Sequence, residues 1–431
     1  MSQAHRPGAR GRAGKGAQRG GRLPAQLAAA RELLAAVLRF DAPADAVVSR
    51  YFRAHAQLGQ RDRHVLAETV YQVVRQLRLW RHLAEGAPAP LDLCLLALGW
   101  QGDENLLSEG LRGWRAQMRA RELDALPSAL RYSLPDWLAH SLDADGFESL
   151  AASLLQPAPL DLRVNTLLAS REEVQRQLRA AGIDAAPTPL SPWGLRVQGK
   201  PALQRLAVFT DGLVEVQDEG SQLLALLLAP RRGEMVADFC AGAGGKTLAL
   251  GALMRNSGRL YAFDTAAHRL DKLRPRLARS GLSNVYPVVI AHERDERVRR
   301  LEGKLDRVLV DTPCSGTGTL RRNPDLKWRL KPDDIARLVE QQGAIVRAAA
   351  RLLKPGGKLV YATCSLLRAE NQQVVDSFVA DSPAFERLDA GVTMAQQHLA
   401  LPLPRPMLEL RPDRDGTDGF FAAVLQRRTD G

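Results

Sequence analysis

Asp238-Phe-Cys-Ala-Gly-Ala-Gly-Gly-Lys-Thr247 follows the apolar run Met235-Val-Ala237 and leads directly into Leu248-Ala-Leu-Gly-Ala-Leu253. A short apolar strand, a glycine-rich turn and an apolar helix in immediate succession read as the first unit of an open parallel sheet, whose ligands sit at the carboxyl ends of the strands. Outward from this unit, apolar segments at 259–263, 284–290, 307–310 and 358–362 alternate with helical text. That alternation predicts a doubly wound, mostly parallel, Rossmann-like α/β sheet covered by helices. The segment 419–425, after the proline-rich 402–406, is expected to close the sheet as an edge strand.

Two familiar phosphate fingerprints nearly match the loop, and each fails at a named residue. The GxxxxGK[ST] pattern ends correctly at Gly245-Lys246-Thr247 but has Cys240 where its first glycine belongs; GxGxxG starts at Gly242 and Gly244 but meets Thr247 where its third glycine belongs. A nucleoside ligand without a polyphosphate remains compatible, because glycines let the backbone approach it closely and Asp264, ending the second strand, is placed to accept hydrogen bonds from ribose hydroxyls.

The fourth strand runs into Asp311-Thr-Pro-Cys-Ser-Gly-Thr-Gly318 and the fifth into Tyr361-Ala-Thr-Cys-Ser365. Taken singly, Cys314 and Cys364 read equally well as small buried apolar residues. Two thiols at the carboxyl ends of neighbouring strands, each beside a hydroxyl residue, invite a chemical explanation. Carbon 5 of cytosine is too weak a nucleophile to take a methyl group from a sulfonium unaided. Addition of a thiolate to carbon 6, with protonation at nitrogen 3, makes it an enamine carbon, and covalent catalysis divides one hard step into easier ones. Lys246 and the run Arg321, Arg322 and Lys327 could supply the electropositive surroundings a thiolate needs. A second thiol could assist release, with Asp311 as the acid for nitrogen 3.

At these residues the sequence resembles the Fmu/Sun-type RNA cytosine-5 methyltransferases, whose catalytic domain carries a Gly-rich loop, an Asp-x-Pro-Cys motif and a Thr-Cys motif. The resemblance implies that Cys364 is the nucleophile and that Cys314 assists release. It also implies S-adenosylmethionine binding by Cys240, Ala241, Gly242, Ala243, Gly244, Gly245, Lys246, Asp264 and Asp311. It extends through Leu162-Arg-Val-Asn-Thr166, Val214-Glu-Val-Gln-Asp-Glu-Gly-Ser-Gln222, Arg321-Arg-Asn-Pro-Asp-Leu-Lys-Trp328 and Glu370-Asn371, covering roughly 157–427. The chain departs from the family after the third strand, where a Gly-Asp contacting the adenine is replaced by Ile290-Ala-His-Glu-Arg-Asp295. No residue is assigned there, with His292, Glu293 and Asp295 all open.

Upstream, 151–210 reads as a small α/β module, with a strand at 160–167, a helix at 171–181 capped by Ser170 and a strand at 194–197. Residues 24–150 are rich in Ala, Leu and Arg at helical spacing, as in Leu27, Leu33, Leu34, Val37 and Leu38. This helical domain resembles the NusB-like RNA-binding domain of family members that modify small-subunit ribosomal RNA. Residues 1–23 hold six Lys or Arg and no acid, a composition expected to stay disordered as a solubilising terminus or an RNA-grazing arm. The catalytic domain is thus expected at 211–431.

The whole chain has 431 residues, 60 Lys plus Arg against 48 Asp plus Glu, and a net charge of +12, which favours a polyanionic partner such as RNA. Arg321, Arg322 and Lys327 are expected to contact RNA from a loop overhanging the site. Trp328 reads either as a stacking platform for a base or as an anchor beneath that loop. No apolar stretch approaches the roughly 20 residues of a membrane span and no apolar segment opens the chain, so a cytoplasmic protein is expected. Four dispersed cysteines without CxxC spacing argue against a metal or disulfide site. The leading expectation is methylation of cytidine carbon 5 in ribosomal RNA. Transfer RNA as substrate, a non-catalytic RNA-binding or assembly factor, and a nucleoside triphosphatase are the alternatives.

Overall fold

The computed structural model describes residues 23–142, 146–199, 201–399 and 406–429. All but Leu23 of the basic tail expected at 1–23 lies outside them. In chain order the strands are β1 (Leu160–Val164), β2 (Ala185–Pro187), β3 (Gly194–Val197), β4 (Val214–Val216), β5 (Met235–Asp238), β6 (Arg259–Asp264), β7 (Val285–Val289), β8 (Leu305–Asp311), β9 (Leu353–Thr363), β10 (Phe385–Leu388), β11 (Leu408–Leu410) and β12 (Phe420–Arg427).

β5 to β9 pair in parallel and form the larger part of a sheet ordered β10-β12-β9-β8-β5-β6-β7, reaching its edge at β7. From β5 the chain first builds outward through β6 and β7, then returns to lay β8 and β9 on the other side. The crevice between β5 and β8 is therefore the point where strand order reverses, and ligands bind there in open sheets. The central strands β5, β8 and β9 are buried on both faces, as near-continuous apolar runs predict: Val236, Ala237, Val308, Leu309 and Val360 are all wholly inaccessible.

The expectation that 419–425 forms an edge strand is overturned. β12 pairs antiparallel with β9 on one side, Phe421 opposite Thr363, and with β10 on the other, Phe385 opposite Arg427. The edge falls to β10, a short segment whose strand character the sequence reading missed. β1 also ends earlier than expected, at Val164, because Asn165 turns the chain: its amide donates to the carbonyls of Gly212 and Ser280 while its oxygen accepts from the Leu167 N–H.

β1 to β4 make a separate antiparallel sheet ordered β2-β3-β1-β4. Its helix, Arg171–Ala180, opens on Ser170, whose hydroxyl accepts from the Glu173 N–H at 3.1 Å, and buries Val174 and Leu178 against Leu162 and Leu195. The amino-terminal helices from Ala25–Val37 to Glu109–Arg119 share one core, containing Leu33, Leu34, Val70, Val73, Leu95 and Trp100. The next three, Ser128–Arg131, Asp136–Leu142 and Phe147–Leu154, pack instead with Leu320, Ile335 and Leu367 of the catalytic domain. In packing terms the helical domain expected at 24–150 therefore ends before residue 128.

Candidate active site

The loop after β5 is held by its neighbour strand. Gly242 N–H donates to one carboxylate oxygen of Asp264 at 2.8 Å and Ala266 N–H to the other at 2.7 Å, while Ala241 N–H donates to the Phe263 carbonyl. Asp264 thus fixes the loop as well as the end of β6. Gly244 opens the helix Gly245–Leu253 at φ +83°, where an added Cβ would lie 2.1 Å from Leu273, so no other residue fits.

A cavity of about 660 Å³ lies over this loop, in the range of small-molecule sites. It is lined by Cys240, Ala241, Gly242, Ala243, Gly245 and Lys246 from the loop, and by Asp264, Asp311, Cys314 and Cys364 from the ends of the other strands. Of the residues expected from the sequence to bind the donor or do the chemistry, only Gly244 stays off the wall. The structure adds Asp238, whose side chain is buried: Thr247 donates to Oδ2 at 2.7 Å, but Oδ1 has no partner among the described residues. Burial pushes its carboxyl up to about 7. Lys246 donates to Asp311 Oδ2 at 2.7 Å. Burial lowers the affinity of this ammonium for its proton, but the charge and hydrogen bond of Asp311 outweigh that and raise its pKa.

The β8–β9 register sets Asp311 opposite Ala362, so the loops after the two strands run side by side. Cys314 and Cys364, 50 residues apart in sequence, meet with their sulfurs 3.4 Å apart on the cavity wall. The hydrogen bond its S–H donates to Cys364, then burial, then the neighbouring negative charges hold the Cys314 thiol well above its usual pKa, so Cys314 keeps its proton.

Beneath the pair lies Glu370, with no exposed surface. Its carboxylate accepts the Ser315 N–H at 2.8 Å, the Ser315 and Ser365 hydroxyls at 2.5 Å each and the Gln342 amide at 3.0 Å. One residue from each cysteine loop is thus tied to a single carboxylate. Gly318 N–H donates to the Cys364 carbonyl and its own carbonyl accepts from Gly419, a backbone approach so close that a Cβ on Gly318 would sit 2.1 Å from the Gly419 oxygen. In the sequence Glu370 carries no assigned role; its only signal is an acid six positions after Cys364, at the end of Ser365-Leu-Leu-Arg-Ala369.

The basic run falls elsewhere than expected. Arg321 and Lys327 are buried: Arg321 donates to the Thr417 carbonyl, and Lys327 to the Arg75 carbonyl at 2.7 Å. Arg322 bridges Asp218 and Asp418 and donates to the Pro159 carbonyl. Trp328 packs on the amino-terminal core and donates to the Val74 carbonyl at 2.8 Å. Lys327 and Trp328 tie the helical domain to the catalytic domain, and burial corrects the expectation that Arg321 and Lys327 face RNA; Arg322 is only partly buried, its guanidinium held by the two carboxylates, and Trp328 takes the anchoring alternative. After β7, His292 and Glu293 reach the cavity, whereas Asp295 caps the helix Glu296–Arg299. Among the described residues no group of His, Cys, Asp or Glu is arranged to hold a metal ion, and no helix is long and apolar enough to cross a membrane.

A family model described as 16S rRNA methyltransferase RsmB/F matches residues 225–426, and one for the ferredoxin-like domain of RsmF/B-like methyltransferases matches 134–204. The probable ribosomal RNA small subunit methyltransferase B of Synechocystis is 33% identical over 92% of this chain and 98% of its own. Among solved structures, PH0851 superposes with a TM-score of 0.76 at 25% identity, over 93% of this chain and 98% of its own. A methyltransferase homolog from Pyrococcus horikoshii gives 0.59 at 30% identity, over 70% and 97%. With the catalytic and ferredoxin-like parts both matched and a relative aligned along nearly its whole length, the chain belongs to the 16S rRNA methyltransferase RsmB/F family.

Proposed function

We propose that this protein methylates carbon 5 of a cytidine in 16S ribosomal RNA, using S-adenosylmethionine as donor. The observation that carries the reading is the pair of sulfurs 3.4 Å apart on the wall of the cavity that the Gly-rich loop and Asp264 also line. Three features of that cavity suit the donor: the unpartnered Asp238 Oδ1, which can accept from a ligand ammonium, the Asp264 carboxylate at the place of ribose hydroxyls, and a loop backbone with little side-chain bulk. Bound there, S-adenosylmethionine supplies an electrophilic methyl group on a sulfonium.

Cys364 acts as a thiolate and bonds to carbon 6 of the ring, with the Cys314 S–H donated to it beforehand. Asp311 faces ring nitrogen 3 and passes to it a proton drawn from the Lys246 ammonium 2.7 Å away. Carbon 5, now enamine-like, takes the methyl group. Once Cys364 is bonded to carbon its hydrogen bond to Cys314 is gone, and with it the largest influence holding the Cys314 proton. Cys314 then loses that proton to solvent and takes the one on carbon 5. The carbon–sulfur bond breaks, Cys364 leaves as thiolate, and nitrogen 3 returns its proton to Asp311 and Lys246. The net change is one methyl gained and one proton released.

Incubating the protein with unmodified small-subunit RNA and labelled S-adenosylmethionine, then digesting the RNA to nucleosides, is expected to give labelled 5-methylcytidine. Label on another nucleoside, or none with either ribosomal or transfer RNA, would contradict the reading.

A further inference from the structure

The helix Ala267–Ser280 carries Arg269, Lys272, Arg276 and Arg279, spaced three, four and three residues apart, which places them in one row along a single face. The row is about 15 Å long at helical rise. It begins at the active-site cavity, which Arg269 lines, and runs into a second groove of about 740 Å³ between the ferredoxin-like sheet and the catalytic domain, lined by Lys272, Arg276 and Arg279. Val216, Ala243 and Arg276 line both spaces, so the groove continues from the mouth of the catalytic cavity.

The charges of the row are not all spent within the protein. Glu215 accepts from both Arg276 and Arg279, which leaves that trio with one positive charge. The side chains of Arg269 and Lys272 are exposed and make no hydrogen bond or ion pair among the described residues. The groove also offers surface that a base could use. Val216 is 48% exposed. Phe209 stacks under the Arg279 guanidinium, 4.5 Å from its ring centre. Cations beside an apolar and guanidinium platform are how proteins hold the phosphates and splayed bases of single-stranded RNA.

We infer that this groove seats the RNA strand flanking the target cytidine, with Arg269 and Lys272 against its phosphates and Val216 with the Phe209–Arg279 stack against a neighbouring base. The inference rests on RNA being the substrate. It replaces the buried Arg321 and Lys327 with a track that leads directly to the cysteine pair.

The test uses the full chain and a single-stranded RNA oligonucleotide spanning the modified cytidine, with methyl transfer, RNA affinity against salt, and S-adenosylmethionine affinity measured together. Lys272→Glu is compared with Arg351→Glu, an equal charge change at an exposed residue just before β9, at the opposite end of the sheet. Lys272→Glu is expected to raise the KM for RNA roughly tenfold and to reduce the slope of log affinity against log salt by about 0.7, the amount for one lost phosphate contact. S-adenosylmethionine affinity stays at the parent value, and Arg351→Glu leaves KM and slope unchanged. If Lys272→Glu behaves like Arg351→Glu while the parent methylates the oligonucleotide, the groove assignment is overturned and the methylation reading stands. If the parent methylates no RNA, both fall.

Discussion

At the scale of single residues, Glu370 shows how much of a reactive site is made of residues that never touch substrate. Its buried carboxylate collects one N–H, two hydroxyls and one amide, and so fixes the loops bearing both thiols. Glu370→Gln keeps the shape but turns an amide N–H toward donors. The expected cost is about 1–3 kcal/mol of stability in denaturant unfolding. A fall of about 100-fold in kcat, with the KM for RNA little changed, should accompany it as the sulfurs lose register. A variant with parent kcat would show that the cysteines do not need this tie. Lys327 is a second case: buried and close to Arg75, its amine is lowered to about 7 by burial first and by Arg75 second. The unfolded chain then binds more protons than the folded one between about pH 7 and its ordinary value near 10.4, so stability rises with pH across that window. Thermal melts of Lys327→Met should show less of this rise than the parent, and an identical pH dependence would count against the assignment. The two cysteines were legible in the sequence because residue type, flanking hydroxyls and strand ends all agreed. Arg321 and Lys327 were not, because a sequence does not show that backbone carbonyls from a distant helix end will cover a cation.

At the scale of elements, the sheet was legible wherever a run of apolar residues was bounded by glycine or a charge, as at β5 and β6, and Ser170 announced its helix. Misplacement came where pairing decides: β12 looked like an edge because β10 carries little apolar signal of its own, and only long-range pairing puts it outside. The basic row at 269, 272, 276 and 279 was present at helical spacing, yet went unread because a charged helix face is usually just solvated. The contact between the Pro-Cys loop and the start of β12 is also invisible in sequence. Gly318 meets Gly419 and the Cys364 carbonyl backbone to backbone, so Gly318→Ala has to push the Cys364 loop aside. It is expected to lower methyl transfer strongly. Gly113→Ala, exposed in the helix Glu109–Arg119 with open space around it, should instead gain roughly 0.5–1 kcal/mol and keep full activity. Equal activity in the two variants would contradict a tight loop.

At the scale of the whole molecule, three parts converge on one sheet edge. The helical domain docks through Trp328 and Lys327, and the ferredoxin-like sheet through Glu215 and Asn165. The cysteine pair lies on the wall of a cavity lined by the catalytic domain together with Val216 and Gln217. The central claim is the division of labour within that pair. The most direct measurement incubates the parent, Cys314→Ala and Cys364→Ala with small-subunit RNA and S-adenosylmethionine, and separates the products under denaturing conditions. Cys314→Ala, able to attack but not to release, is expected to migrate with RNA covalently attached, while Cys364→Ala and the parent accumulate no such species. An adduct that forms in Cys364→Ala but not in Cys314→Ala would reverse the roles, and the absence of any adduct from both variants would contradict the covalent account.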